Sequence, residues 1–468
     1  MFCYTRNKSK KASFWNALVD MGNSSDGVPI VERLPDFSRD FAKMRKMSFY
    51  EIYSFVFAKF AEEDISIFND IFENAWRDSD VNSTVFVEYG LYFSESFDDT
   101  NKSVDDAKNK LLPYLVQVAK EKIERTNKTL FVGSASSKSS AVVIPENSVD
   151  LYSVCFYSSN SQKSEKNFDE KNFGVVIEKS EADIKNEIID LCNDKKFLSS
   201  AKEKGVSIYP VCHSIVDILI RLGSLISSYF DLLNIGELEE NQAFDVALDA
   251  DSIGEVVACI YAKKIGIPIS SIIVADNQDK VAVDFWQKGI LDFERLPKDF
   301  DFFSFETLLY LLLDENDEKI SELLETNERK RINRRYFEKF DFVLTGYVTD
   351  DEIAEIMTSA IDEWDYVCSV STARALSIYD DYCQETDSDM PTLIIADDSP
   401  LTDAKIILKS LHRKIEADDV KAVRMLANEL GLDIPEMYKY TKNQTDDFAK
   451  ETSVSSSLEK IVDTIKGE

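Results

Sequence analysis

Residues 244–289 read FDVALDADSIGEVVACIYAKKIGIPISSIIVADNQDKVAVDFWQKG, and the pattern in this stretch decides the fold class. Residues 244–248 and 271–275 are short apolar runs of strand composition. Between them, 254–265 spaces its apolar residues as a helix does. Strand, helix and strand at these lengths form a crossover unit, which implies parallel strands with helices on the sheet faces.

The same alternation extends outward. Strands are expected at 129–133, 150–156, 174–177, 207–211, 340–346 and 392–396, with helices at 182–192 and 214–233. The first hundred residues are mostly helical in pattern, at 49–61 and 65–76, followed by a strand at 84–89. A polar stretch, 94–102, then leads into a helix over 104–125. Residues 158–171 read as a polar loop, and 441–468 as a flexible tail with a short final helix.

The chain has 468 residues, too many for one ordinary domain, and is 44% hydrophobic, enough for sizeable cores. Its formal charge of −32 argues against nucleic-acid binding and disfavours anionic membranes. A basic protein partner or a small anionic ligand stays open. The seven cysteines form no CxxC pair, and neither a signal peptide nor a membrane-spanning run is visible, which points to the cytoplasm. Two histidines, His213 and His412, argue against a histidine-based zinc site and a Ser-His-Asp triad, so no metal is expected. The 14 glycines are few for a protein that wraps phosphates with its backbone.

Several segments, in order, resemble threonine synthase, a pyridoxal-phosphate (PLP) enzyme of the tryptophan-synthase-β type. Tyr4-Thr-Arg-Asn, Ser13-Phe-Trp-Asn-Ala-Leu and Asp26-Gly-Val-Pro resemble its opening, and His213-Ser-Ile-Val-Asp-Ile-Leu resembles its S-I-N-W-A-R segment. The 244–289 stretch is similar to its strand, S-G-N-F-G-D turn and helix. Asp301-Phe-Phe-Ser-Phe-Glu-Thr, Gly346-Tyr-Val-Thr-Asp, Ser371-Thr-Ala-Arg-Ala and Pro391-Thr-Leu-Ile-Ile-Ala follow in the family's order. The resemblance implies an α/β, fold-type II PLP-enzyme-like architecture: two parallel-sheet αβ domains with a mostly helical N-terminal cap. The expected division is 1–83 for the cap, 84–128 with 212–440 for the large domain, and 129–211 for the small one.

The resemblance also implies a site. The family's Schiff-base lysine falls on Lys108, in Asp106-Ala-Lys-Asn, with Lys102 and Lys110 close by in register. The alternative for Lys108 is a solvated helix lysine. Its acidic neighbours Asp105 and Asp106 would hold the proton on, whereas such a lysine needs a depressed pKa. The substrate loop S-G-D-T-G corresponds to Ala135-Ser-Ser-Lys-Ser, so Ser136, Ser137, Lys138 and Ser139 are its candidates, without the glycines. The phosphate loop corresponds to 250–254, where Ser252 and Gly254 are the candidate cofactor contacts and Asp249, Asp251 and Glu255 flank them. A carboxylate about 5 Å from a phosphate charge costs on the order of 3 kcal/mol at an effective dielectric near 20. Asp251 and Ser252 make better helix caps than phosphate ligands. Thr372, in Ser369-Val-Ser-Thr372, keeps a hydroxyl where the family places one near the pyridine nitrogen.

Three functions fit these residues. One is a threonine synthase-like protein that has lost PLP catalysis and acts by binding or as a structural body. The second is an active, divergent threonine synthase that converts O-phosphohomoserine to threonine with PLP on Lys108. The third is a magnesium-dependent phosphoryl-transfer enzyme using Asp249 and Asp251 at a strand end.

Overall fold

In the computed structural model, the 244–289 stretch forms strand Phe244–Asp249, helix Ile253–Ile265 and strand Ile269–Asp276, the strands parallel with Ala247 opposite Ile273. The structure describes residues 1–19, 25–77, 82–98, 102–135, 140–159, 169–297, 300–413, 419–432, 434, 449–451 and 453–467. The crossover unit is the middle of a six-stranded sheet. Its order is Val343–Tyr347, Ile269–Asp276, Phe244–Asp249, Thr392–Ala396, Leu91–Glu95, Ser83–Glu88. All neighbours are parallel except the last pair. Strand Leu91–Glu95 lies where the sequence shows only the start of a polar stretch. Its apolar residues are two faces of a buried strand beside Thr392–Ala396, not one face of a longer element.

The second sheet is five-stranded and parallel throughout. It runs Ala449–Glu451, Asn172–Ile177, Leu151–Ser158, Lys128–Ser134, Val206–Pro210. The expected flexible tail therefore needs correcting from 449 onward. Ala449–Glu451 extends this sheet, and helix Val454–Gly467 buries Val454, Leu458, Val462 and Ile465 against Leu130, Val154 and Ile177. Apolar residues at helical spacing give that helix one face to bury, and the five-stranded sheet supplies the cover.

The N-terminal region is not only helical. A three-stranded antiparallel sheet, Asn7–Ala12, Phe2–Tyr4, Pro29–Val31, lies ahead of helix Phe49–Ala61, with helix Phe14–Val19 between its last two strands in the chain. Arg6 binds Glu306 (Nη2 to Oε2, 2.6 Å), which ties this sheet to helix Phe302–Leu312. Helices Phe49–Ala61 and Ile65–Ala75 pack an aromatic cluster of Phe57, Phe68, Phe72 and Trp76 against the large domain.

Helix Ile215–Ile235 runs through the centre of this core with almost every residue buried. It crosses helix Phe49–Ala61 at Gly223, where a Cβ would come within 2.8 Å of the Tyr53 ring, so the absent side chain sets the approach. No helix among the described residues is long and apolar enough to cross a membrane.

Candidate functional site

A cavity of 650 Å³ opens between the two sheets. It sits at the carboxyl ends of their parallel strands, where open α/β sheets bind ligands. Gly133 and Pro210 face it from the five-stranded sheet; Lys108, His213, Arg221, Asp249, Ser252 and Arg374 face it from the side of the six-stranded one.

Helix Val104–Lys122 begins at Ser103, whose side chain accepts from Asp105 N, and this start carries Lys108 to the cavity wall. Lys108 is buried, not a solvated helix lysine. Its Nζ donates to Asp105 Oδ1 at 2.9 Å and to Asp217 Oδ1 at 2.8 Å. Burial opposes the ammonium, but the two carboxylates outweigh it and hold the lysine well above its ordinary range. The expectation that Asp106 contributes is corrected: its carboxylate turns away and accepts the backbone N–H groups of Lys102 and Ser140.

Asp217 is the decisive partner. It is the third residue of helix Ile215–Ile235, and its Oδ2 closes a capping box with Ser214 while Oδ1 is left for Lys108. Burial favours its neutral form, yet Lys108 and His213 prevail and hold the carboxyl far below the carboxylate range. The same helix brings Arg221, whose Nε lies 3.2 Å from Glu255 Oε1. His213, Asp217 and Arg221 are four residues apart, one stripe at helical spacing. This charged stripe in an otherwise apolar run is a sequence signal that the motif comparison passes over.

The phosphate-loop equivalent differs from the expected capped helix. Ser252 precedes helix Ile253–Ile265 but makes no side-chain cap. Its hydroxyl instead donates to Asp397 Oδ2, whose other oxygen accepts Ser371 Oγ at 3.2 Å. Asp251 is exposed and pairs with Arg374 Nη1 at 3.1 Å. The same Nη1 binds both oxygens of Asp249, at 2.8 and 2.6 Å. That guanidinium lies where a magnesium ion would have to approach Asp249 and Asp251, so the arrangement gives phosphoryl transfer no support. Burial, despite Arg374, pushes Asp249 up to about 7, and burial against Arg221 pushes Glu255 up to about 7. Gly254, the retained glycine, is covered by Arg221: a Cβ there would meet Arg221 Nε at 3.1 Å.

Thr372 is buried, and its hydroxyl lies 2.9 Å from Ser369 Oγ; the cavity-facing hydroxyl of that turn belongs to Ser371. Ser136, Ser137, Lys138 and Ser139 lie outside the described residues. Arg374, like Arg221, is a cavity-lining residue that sequence reasoning missed; its partners are 123 and 125 positions away.

PLP does not fit these residues. A Schiff-base lysine must be able to shed its proton, and Lys108 is held protonated by two carboxylates. The helix start that would receive the phosphate is ringed by Asp249, Asp251 and Glu255, and their counter-cations Arg374 and Arg221 are engaged with them.

No family model matches the chain. Its fold is that of a threonine synthase from Brucella melitensis solved with PLP bound (TM-score 0.77, 15% identity, 99% of each chain). The yeast threonine synthase superposes equally well (TM-score 0.77, 16% identity, 99% of this chain and 98% of that one). Fold and cavity together define the class: a fold-type II PLP-enzyme architecture.

Among curated proteins the human threonine synthase-like 1 is 28% identical over 168 residues, which is 33% of this chain and 22% of that protein. The mouse protein of that name is 38% identical over 66 residues, 14% of this chain and 9% of its own length. The matched segment thus spans about a fifth of the human relative. Within that architecture, the likeness in sequence is to threonine synthase-like 1 and covers a third of this chain.

Proposed function

We propose that this protein is a catalytically degenerate threonine synthase-like protein that keeps the interdomain cavity as a binding site and has given up PLP chemistry. The observation that carries this reading is Lys108. An ammonium clamped at 2.8 and 2.9 Å by two carboxylates is a structural cation, not a nucleophile in waiting. The three ion-paired clusters, at Lys108, Arg221 and Arg374, replace the parts of the site that would hold and use the cofactor.

The cavity itself takes a small molecule with an anionic group. Arg221 and Arg374 line it, and an anion there binds by drawing these guanidiniums from Glu255 and from Asp249 and Asp251. The acidic surface keeps nucleic acid and anionic membranes away, a basic protein partner is compatible with it, and seven free thiols suit a reducing cytoplasm.

The direct test is turnover of O-phosphohomoserine with PLP in excess, reading threonine and released phosphate. The proposal expects no product above a protein-free control. Threonine formation that disappears in Lys108→Ala would establish an active, divergent threonine synthase instead.

A further inference from the structure

The cavity corner around His213 carries a second chemistry, which the lost cofactor does not explain. Three helices start there, Val104–Lys122, Ile215–Ile235 and Phe302–Leu312, and helix N-termini favour carboxylates. Asp217 Oδ2 and Asp301 Oδ1 are used at their own helix starts, accepting the N–H groups of Ser214 at 2.8 Å and Ser304 at 2.9 Å. Their other oxygens turn to the imidazole: Asp217 Oδ1 is 3.6 Å and Asp301 Oδ2 is 3.7 Å from His213 Nδ1. That nitrogen is out of contact with solvent and makes no hydrogen bond. Asp105 Oδ1 completes the group. The ligand atoms of Asp105, His213 and Asp217 all lie within 4.8 Å of one another, and a cation, Lys108 Nζ, already stands between the two carboxylates.

We propose that this corner is a divalent transition-metal site of the zinc or cobalt(II) type, held by Asp105, His213 and Asp217, in which the ion replaces the Lys108 ammonium. One imidazole nitrogen with carboxylate oxygens suits zinc and its neighbours, whereas calcium and magnesium ask for more oxygens. Ligand atoms around tetrahedral zinc stand about 3.3 Å apart, so the 3.6 Å separation of His213 and Asp217 closes by a few tenths of an ångström, while Asp105, whose ligand atom lies within 4.8 Å of theirs, has further to move. The helix-capping bond from Ser214 N–H already orients the Asp217 carboxylate, which is the outer-sphere support that a metal ligand needs. The cavity supplies an entry path, space for Lys108 to swing aside and water for the open positions.

This proposal rests on the reading that Lys108 carries no cofactor, so one preparation should be tested for both. Chelator-stripped full-length protein is titrated with Zn²⁺ by calorimetry and with Co²⁺ by visible absorbance, and a portion is mixed with PLP. One ion per chain is expected. Affinity should fall at least tenfold in His213→Gln and rise about tenfold in Lys108→Met, which has no ammonium to displace. His213→Gln decides the matter, because its side chain is 24% exposed and its loss is tolerable for folding. No stoichiometric binding by the wild type, or binding unchanged in His213→Gln, overturns the metal site. A PLP adduct on Lys108 overturns the underlying reading instead, and shows separately.

Discussion

Asp217→Asn breaks the proposed structural cation at its most buried contact. The substitution keeps the volume and an oxygen able to cap helix 215–235, and removes only the charge. Lys108 is then left with Asp105, whose side chain is 34% exposed and correspondingly screened. Removing one partner of a buried ion pair costs about 3–5 kcal/mol, because the other charge stays desolvated. Lys108→Met removes the cation instead, and Asp217 keeps His213 at 3.6 Å and Arg221 at 4.0 Å, so its cost should be nearer 1–3 kcal/mol, roughly that of unpairing a charged hydrogen bond. The double variant buries no orphan charge on either side. It should be more stable than Asp217→Asn alone, with a coupling energy of about 2 kcal/mol or more. Urea unfolding read by tryptophan fluorescence suits the cycle, since Trp15, Trp76, Trp286 and Trp364 all lie outside the small domain. Additivity of the two single changes within about 0.5 kcal/mol would refute the reasoning and return Lys108 to an independent role.

Other outcomes follow from the same packing. Asp249 and Glu255 are raised to about 7 from ordinary values of 3.8 and 4.5, so their contribution to stability is present at low pH and lost as pH climbs towards 7; Asp105, lowered to about 2, acts oppositely and only below its ordinary 3.8. Melting temperature should therefore fall between pH 5 and pH 8, and fall more steeply in Arg374→Ala, which strips Asp249 of its counter-cation. Gly223→Ala forces a Cβ to 2.8 Å from the Tyr53 ring and should cost about 1–3 kcal/mol in a denaturant midpoint. Leu458→Ala hollows the seat of the final helix and should cost the small domain about 2–5 kcal/mol, seen as faster amide exchange in strand 128–134.

The sequence makes the scaffold readable where periodicity is local. The strand–helix–strand unit at 244–276 and helix 49–61 fall within a residue or two of their expected bounds. Strand Leu91–Glu95 does not, because its burial comes from a neighbour 301 residues away. Strand Asn7–Ala12, NKSKKA, carries no apolar alternation to mark it, because it is an edge strand with a solvated face. In the site, motif comparison points to Lys108 and its acidic neighbour Asp105, but not to the rest of its surroundings. Asp105 is its neighbour in sequence, whereas Asp217, which fixes its charge, is 109 positions away. Arg374 is likewise legible only as an arginine until the fold sets it against Asp249.

The central claim, that Lys108 is an ion-paired cation and no longer a cofactor anchor, is tested most directly by one spectrum. Purified protein is mixed with PLP, reduced with borohydride and digested for peptide mapping. The account predicts no Schiff-base absorbance band and no pyridoxyl group on Lys108. A band that reduction converts into a single adduct at Lys108 would contradict it.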